Sequence, residues 1–274
     1  MIETSTVRLA VRPPTSTVQQ WWVLSIRMIR PTLRNGEVLT QVAASIMFTV
    51  NFYIPLKHLM GASVQGTSSS YAQYLMPLIA LQAIAFAAVS AAFRSATDSV
   101  HGINRRFKAM PIAPLTPLAS RMSASMYRCS IALVVSLVCG HVIGFRFYGG
   151  VVHTVGFCLL VLVIGVVLSF LGDLIGAANE NPEATAPVML LPQLIFGLLS
   201  VGLEPVERFP EWIQPFVRNQ PVSQFIYPLR ALAGDTTPGA AAVTWPVIGP
   251  ALAWVVGLMV VLLLLHALVA ARQR

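Results

Sequence analysis

The segment 151–172, VVHTVGFCLLVLVIGVVLSFLG, decides the fold class of this chain. It is apolar along nearly its whole length and carries no aspartate, glutamate, lysine or arginine. Because a helix needs about 20 consecutive apolar residues to cross the hydrocarbon core of a bilayer, this segment is predicted to be a transmembrane helix. The flanking segments determine how many further helices accompany it.

The composition of the 274-residue chain supports a membrane protein. Hydrophobic residues make up 56% of it and charged residues 10%, whereas about 25% of the residues of a soluble domain are charged. This composition excludes a soluble globular protein, a disordered tail and a fibrous repeat. Residues 1–16 contain arginine and proline but no continuous apolar core, so they are not interpreted as a signal peptide.

Five further segments have the apolar character of a span, and they cover residues ~38–56, 72–93, 119–145, 187–203 and 246–270. We therefore expect an all-α integral membrane protein with six transmembrane helices. Two patterns of small residues predict close approach of neighbouring helices. These are Ala83, Ala87 and Ala91 in the second span, and Gly140-x-x-x-Gly144 in the third.

The predicted spans hold no ionisable residue near their middle, which argues against a proton-coupled transporter. Arg121 and Arg128 lie near the start of the third span, and their side chains are expected to extend to the membrane interface. The three cysteines, Cys129, Cys139 and Cys158, are widely spaced within apolar runs. We interpret them as buried thiols, and neither a disulfide framework nor a metal site is expected.

The N-terminal region, 1–36, precedes the predicted transmembrane domain, 37–274. Residues 17–34 have apolar and basic side chains on different sides of a helix. This pattern predicts an amphipathic helix in the membrane surface, with a solvated linker as the alternative. The apolar residues are Val18, Trp22, Ile26, Ile29 and Leu33, and the basic ones are Arg27, Arg30 and Arg34.

Basic residues indicate the orientation of the chain in the membrane. Six spans place both termini on one side, together with the loop between the second and third spans. Twelve basic residues lie on that side and five on the other. Since basic residues accumulate in cytoplasmic loops, both termini are expected in the cytoplasm, and the excess of positive charge does not indicate a nucleic-acid partner.

Two connecting segments have unusual compositions. The loop 94–118, RSATDSVHGINRRFKAMPIAPLTPL, is the most charged interior segment. It is either a short helix that a partner protein moves or an anchor to anionic headgroups. The segment 204–245 alternates prolines with aromatic residues, which predicts short helices that lie on the membrane or dip into it.

The chain lacks the motifs of an ATPase or a hydrolase. It contains no G-x-x-x-x-G-K-[ST] motif, and neither of its two lysines, Lys57 and Lys108, has the context of a phosphate-loop lysine. H-E-x-x-H and G-x-S-x-G are also absent. We therefore do not expect this chain to be an enzyme by itself, and any energy from ATP must come through another subunit.

Five segments of the chain resemble a known family of transporters. They are LRNGEVLT (33–40), FRSATDSVHGINRRFKAMPIAPLTPLASR (93–121), SLVCGHVIGFRF (136–147), FGLLSVGLEPVERFPEWIQPFVRNQPVSQF (196–225) and LRALAGDTT (229–237). The chain is similar to permeases of the ABC-2 exporter family. More narrowly, it resembles the type-B permeases of the daunorubicin/doxorubicin-resistance group in their mycobacterial form.

This resemblance implies an assembly and a substrate class. Two such permeases pair above two copies of a separate ATP-binding subunit, which holds ATP and magnesium. The partner permease is a second, type-C-like chain or a second copy of the same chain. The substrate is a phthiocerol dimycocerosate-type lipid or an amphipathic drug such as an anthracycline, exported across the bacterial plasma membrane.

The resemblance also assigns roles to three groups of residues. The coupling helix within 98–110, which docks on the ATPase, includes Asp98, Arg105, Arg106, Phe107, Lys108 and Met110. The connecting helix, 21–34, includes Trp21, Trp22, Arg27 and Arg30. The outer gate hairpin, 210–230, includes Trp212, Phe216, Arg218, Asn219 and Arg230. Trp212 is open to two interpretations, a gate element or an interfacial anchor.

Two other functions are compatible with the composition. One is a channel or a secondary transporter driven by an ion gradient, which needs no nucleotide. The other is a membrane scaffold or a membrane enzyme without transport. A partner ATPase would distinguish the exporter from both.

Overall fold

The computed structural model describes residues 16–60, 68–103, 106–107, 110, 112–113, 115–179, 181–237 and 242–272. Within these ranges the regular secondary structure is entirely helical. The long helices are α1 (Thr17–Arg34), α2 (Glu37–Met60), α3 (Tyr71–Val100), α4 (Thr116–Ile143), α5 (Gly150–Ala178) and α6 (Pro182–Leu198). A 3₁₀ turn (Val206–Arg208), the short helices α7 (Gln214–Asn219) and α8 (Pro221–Ala233), and the long α9 (Trp245–Arg272) follow.

Five of these helices, α2, α3, α4, α5 and α9, are long and apolar enough to cross a membrane. The predicted all-helical membrane architecture is therefore confirmed. The segment predicted as a span at 187–203 is helical from Pro182 to Leu198 and then turns before the 3₁₀ helix. It is the shortest of the predicted spans, and it contains Pro187 and Pro192.

Helix α3 forms the centre of the bundle. It contacts α2, α4, α5, α6 and α8, and its side chains from Leu75 to Ile84 are almost completely inaccessible. The outer helices instead expose large apolar side chains, among them Leu264 of α9, with 61% of its surface accessible. This arrangement suits a bundle whose surrounding solvent is lipid, because lipid does not drive outer apolar side chains inward.

Helices α3 and α5 pack in backbone contact. A methyl group added at Gly172 would lie 2.6 Å from the carbonyl oxygen of Ala88, and one added at Gly176 would lie 2.1 Å from that of Ala92. Only glycine allows this approach, and the alanines of α3 provide the opposing flat surface. The residues opposite the Gly172-x-x-x-Gly176 motif are Ala88, Ala92 and Ala96, one position further along α3 than the predicted Ala87 and Ala91. Ala83, Ala87 and Ala91 are buried.

The Gly140-x-x-x-Gly144 pattern does not act as a pair. Gly140 packs against the side chain of Met76, where an added methyl group would lie 2.6 Å from the sulfur. Gly144 has no neighbour within 4 Å of such a group and instead ends α4 with a φ of +105°. The prediction was wrong for Gly144, because its role is to cap a helix in the left-handed conformation.

Alternation of the long helices gives the bundle two ends. We call the end where α1 lies, where α2 begins and α3 ends, the basal end. The opposite end, which holds the α4–α5 turn and the short helices α7 and α8, is the distal end. Polar interactions between helices concentrate near these two ends.

Candidate functional site

Helix α1 lies across the base and has three distinct faces. Its inner face packs on α4, where Trp21 Nε1 donates to Ser123 Oγ at 3.1 Å. Ser25 and Thr32 on this face are buried. A second face carries the predicted apolar stripe, in which Val18, Trp22 and Leu33 are exposed and the two isoleucines are half-buried. A third face exposes arginines. The predicted amphipathic helix is therefore present, with an additional face that holds it to the bundle.

Arg121 joins three helices at the base. Its guanidinium lies 3.0 Å from Asp98 Oδ2 on α3 and 3.3 Å from Asp173 Oδ1 on α5. Ser95 Oγ also donates to the backbone carbonyl oxygen of Asp173 at 2.8 Å. The end of α3, which leads into the charged loop, is thus fixed to both α4 and α5. A displacement of that loop would be transmitted to all three helices.

Glu37 is the centre of a second basal cluster. Arg94 of α3 is paired with Glu37 Oε2 and donates to Thr32 Oγ1 at 2.8 Å. Thr32 Oγ1 itself donates to Glu37 Oε2 at 3.1 Å. Arg128 of α4 approaches the same oxygen to 3.9 Å and donates to Ser125 Oγ at 3.0 Å. One carboxylate therefore serves two arginines, and α1, α2, α3 and α4 meet there.

The expectation that Arg128 extends to the membrane interface was wrong. Only 2% of Arg128 is accessible, and its side chain points into the bundle. Arg121, nearer the start of α4, is engaged by Asp98 and Asp173. Both arginines have acidic partners on other helices, Asp98 and Asp173 for Arg121 and Glu37 for Arg128. Sequence reasoning missed Glu37 as a site residue, although it lies within the quoted LRNGEVLT segment.

The charged loop continues from α3 with a short helical stretch. Arg106 and Phe107 are helical, and the Arg106 amide donates to the Gly102 carbonyl at 3.2 Å. The side chains of Arg106 and Met110 are exposed, and Phe107 is half-buried. Asp98 is oriented by Arg121 rather than free to bind a partner. Of the other predicted coupling residues, Arg105 and Lys108 lie outside the described residues.

At the distal end, Arg230 of α8 is held against α3. Its guanidinium lies 3.8 Å from the centre of the Tyr74 ring, which is a cation–π contact. Its Nη2 donates to the backbone carbonyl oxygens of Val201 and Tyr74, at 3.0 and 3.2 Å. Arg230 therefore fixes the short helices to the bundle core, in contrast to the exposed residues of the predicted hairpin.

Four residues predicted for the outer gate do lie at the surface. Trp212 is 80% accessible and Phe216 is 45% accessible. Phe216 stacks on Phe196 of α6 with ring centres 6.1 Å apart. Arg218 and Asn219 are also exposed at the end of α7. The hairpin therefore presents aromatic and polar groups outward next to the end of α6.

Backbone groups at the distal end converge on two side chains. Gln73 Nε2 donates to the carbonyl oxygens of Arg146 and Gly234, and Gln73 Oε1 accepts from the Arg146 amide. The Asp235 carboxylate accepts hydrogen bonds from the amide of Ser69 at 3.0 Å and from that of Thr237 at 3.2 Å. Burial alone would raise the pKa of Asp235, but these hydrogen bonds outweigh it and lower the pKa below its ordinary value.

This lowered pKa predicts a pH-dependent contribution of Asp235 to stability. The contribution is fully present above the ordinary pKa of 3.8 and is lost as the pH falls below it. It should amount to less than about 1 kcal/mol, because the carboxylate is partly open to water. The difference in thermal midpoint between the parent and Asp235→Ala should be constant above about pH 5 and shrink towards about pH 3. A difference that does not change with pH would contradict the assignment.

Two polar groups within the apolar helices also stand out. Gln193 Nε2 of α6 donates to Gln82 Oε1 of α3 at 2.9 Å, which links the two helices. The side chain of Asn51 of α2 is exposed and makes no hydrogen bond within the described residues. In those same residues, no three histidine, cysteine, aspartate or glutamate side chains converge as a metal site would require.

Comparison with known proteins gives a consistent set of relatives. The family described as ABC-2 family transporter protein matches residues 26–268. The doxorubicin resistance ABC transporter permease protein DrrB of Mycobacterium tuberculosis is 54% identical over 262 residues, covering 94% of this chain and 91% of the relative. The probable doxorubicin resistance permease DrrC of that organism is 28% identical, and the match covers 80% of this chain and 78% of the relative. The daunorubicin resistance ABC transporter permease protein DrrB1 of Streptomyces coeruleorubidus is 26% identical, and the match covers 72% of this chain and 69% of the relative.

Proposed function

This chain belongs to the ABC-2 transporter family, and we propose that it is the permease subunit of an ATP-driven exporter in a bacterial plasma membrane. ATP and magnesium would be bound by a separate subunit, present in two copies. The observation that carries this proposal is the basal junction at Arg121, which connects the charged loop to three helices. A permease that is driven by a separate ATPase subunit needs such a connection between the loop that contacts the ATPase and the membrane spans.

The proposed coupling element is the loop that follows α3. The exposed Arg106 and Met110 and the half-buried Phe107 form a mixed basic and apolar surface at the base. Asp98 would contribute by holding the loop to α4 through Arg121, rather than by contacting the ATPase. Arg105 and Lys108 would add charge to this surface. The basal end would then face the cytoplasm, in agreement with its excess of basic residues.

In the proposed arrangement, α6 completes the set of six spans as the fifth in chain order, and the segment 210–230 is a re-entrant hairpin on the outer side. The Gln82–Gln193 hydrogen bond supports α6 as a spanning helix, because such bonds join helices within apolar surroundings. The Phe196–Phe216 stack and Arg230 hold the hairpin beside α6 and α3. Movement of this hairpin would open the outer end for release, with Trp212 as a gate element or an anchor.

The proposed substrate is an apolar or amphipathic molecule, either a phthiocerol dimycocerosate-type lipid or an anthracycline-like drug. The relatives with drug-resistance names support the drug, and the apolar outer faces of α2 and α6 would suit both. The buried charges of Asp173 and Arg128 lie in the basal clusters and would not meet an apolar molecule that passes along these outer faces.

A second permease, either a type-C-like chain or a second copy, would complete the pathway. The exposed Asn51 supports pairing through α2. It lies among the exposed Met47, Val50 and Ile54 in a membrane-spanning helix, where an unpaired amide is unfavourable. A hydrogen bond across a permease interface would satisfy it.

The double variant Arg106→Glu/Phe107→Ala should weaken binding of the ATPase subunit roughly tenfold, which is about 1.4 kcal/mol. Neither side chain supports the bundle, since Arg106 is exposed and Phe107 only half-buried, so membrane insertion should be unchanged. Co-purification from native membranes measures both. The matched control is Arg208→Glu, an exposed arginine on the distal end. Undiminished ATPase binding in the double variant would contradict the coupling assignment.

The whole proposal is tested by isolating the tagged chain in a mild detergent and identifying its partners by mass spectrometry. A soluble ATPase and a second permease, together with ATP hydrolysis, are the expected result. Isolation of the chain alone, with transport driven by an ion gradient in vesicles, would replace the exporter with a secondary transporter.

A further inference from the structure

The outer side of α1 carries an unpaired positive patch. Its three arginines are exposed and make no ion pair within the described residues. They line an open groove of about 700 Å³, together with Val23, Ile26, Pro31 and Asn35. We call this surface the arginine groove, and its basic members are Arg27, Arg30 and Arg34.

The charges of the arginine groove lack compensation from their own helix. The α1 sequence, TVQQWWVLSIRMIRPTLR, contains no acidic residue. The nearest acidic residue in sequence, Glu37, is already shared by Arg94 and Arg128. Like charges three and four positions apart on a helix repel each other. The groove is therefore suited to an external anion.

An uncovered apolar stripe lies beside the arginine groove. Val18, Trp22 and Leu33 are 68%, 58% and 59% accessible. A helix with exposed apolar and basic faces side by side fits the boundary of a bilayer, where the apolar face contacts acyl chains and the basic face contacts headgroups. Tryptophan is a frequent anchor at the boundary between a bilayer and water. A free anion or an acidic protein surface would use the basic face only.

We infer that α1 binds an anionic phospholipid at the membrane surface. The guanidinium groups of Arg27, Arg30 and Arg34 would contact its phosphate, because a guanidinium offers paired donors to phosphate oxygens. Trp22 and Leu33 would lie along its acyl chains. The inner face of α1 stays attached to the bundle through Thr32, which bonds Glu37 and Arg94. The lipid would thus be held next to the Glu37 cluster.

The binding can be observed locally through tryptophan fluorescence. Trp212, Trp245 and Trp254 are all exposed, so they can be replaced with phenylalanine to leave Trp21 and Trp22 as the reporters. The full chain is reconstituted in phosphatidylcholine vesicles that contain either brominated phosphatidylglycerol or brominated phosphatidylcholine. Bromine quenches a nearby tryptophan, so the ratio of the two quenching curves gives the preference for anionic lipid at α1.

We expect a clear preference for phosphatidylglycerol that the triple variant Arg27→Gln/Arg30→Gln/Arg34→Gln abolishes. Each basic residue near an anionic surface contributes about fivefold in affinity, so the loss of three should be on the order of 100-fold. The corresponding lysine variant should keep most of the preference, and Arg208→Gln, on the distal end, should keep all of it. Inorganic phosphate should not displace the lipid.

Three outcomes would overturn the inference. The first is equal quenching by the two lipids in the parent chain. The second is full retention of the preference in the glutamine variant. The third is displacement of the lipid by inorganic phosphate, which would identify a site for a free anion. If the glutamine variant instead loses its ATPase subunit and keeps its lipid preference, the arginine groove is a protein interface.

Discussion

Replacing Glu37 with glutamine is expected to destabilise the folded chain by roughly 3 kcal/mol, at the low end of the range for a broken buried ion pair. The low end applies because 29% of the Glu37 side chain is accessible. The large effect arises because one carboxylate serves both Arg94 and Arg128, and Arg128 is only 2% accessible. Glutamine would leave two guanidinium groups close together without a negative partner.

The arrangement predicts unequal roles for the two arginines. Arg94 is the closer partner of Glu37, so Arg128 is a second positive charge that the single carboxylate does not neutralise. Arg128→Met should therefore be near neutral, since an apolar side chain of similar length fills the site without the cost of burying a charge. The double variant Glu37→Gln/Arg128→Met should be more stable than Glu37→Gln alone.

Unfolding in a detergent titration gives the stability of the parent chain, the two single variants and the double variant, which together form a double-mutant cycle. Glu207→Gln, at an exposed position of the distal end, is the matched control and should leave stability unchanged. If the effects of the two single replacements simply add in the double variant, Glu37 and Arg128 do not interact, and the described cluster is incorrect.

A single methyl group at Gly176 is expected to separate α3 from α5. The added carbon would lie 2.1 Å from the Ala92 carbonyl oxygen and 2.9 Å from the Ala96 amide nitrogen. These are backbone atoms, which cannot rotate away as a side chain can. Gly176→Ala should therefore cost about 3 kcal/mol, at the upper end of the usual range for overpacking. The shift would also disturb the nearby Asp173–Arg121 pair.

Gly257 offers a matched control in another apolar helix. A methyl group added there meets no atom within 4 Å. Because alanine favours helix over glycine, Gly257→Ala should be neutral or stabilise the chain by about 0.5–1 kcal/mol. Thermal denaturation in detergent compares the two variants. Equal effects at both positions would mean that α3 and α5 are not in backbone contact.

The sequence predicted the helices better than their contacts. Apolar length is a local property, so the long spans at 72–93 and 151–172 were recognisable. The Glu37–Arg94 pair joins residues 57 positions apart, and the Arg121–Asp173 pair joins residues 52 apart. No local pattern reports such pairs, and the expectation of interfacial arginines followed from their position near a span end.

Some missed features did leave a local signal. Gly172-x-x-x-Gly176 has the same spacing as Gly140-x-x-x-Gly144, but only in the former do both glycines lie against the backbone of another helix. Spacing alone cannot distinguish a packing glycine from one that ends a helix with positive φ. The predicted coupling and gate residues depend on the family resemblance, and the Arg106→Glu/Phe107→Ala variant tests the coupling residues.

The glycine contact between α3 and α5 has a consequence for how the bundle can change shape. Two helices joined along their backbones, and joined again by Ser95 and Arg121 at the base, must move as a rigid body. Relative motion is then left to α2, α6 and α9, which meet this body through side chains. Helices α3 and α5 would act as the fixed frame of the permease, and its peripheral helices as the moving parts.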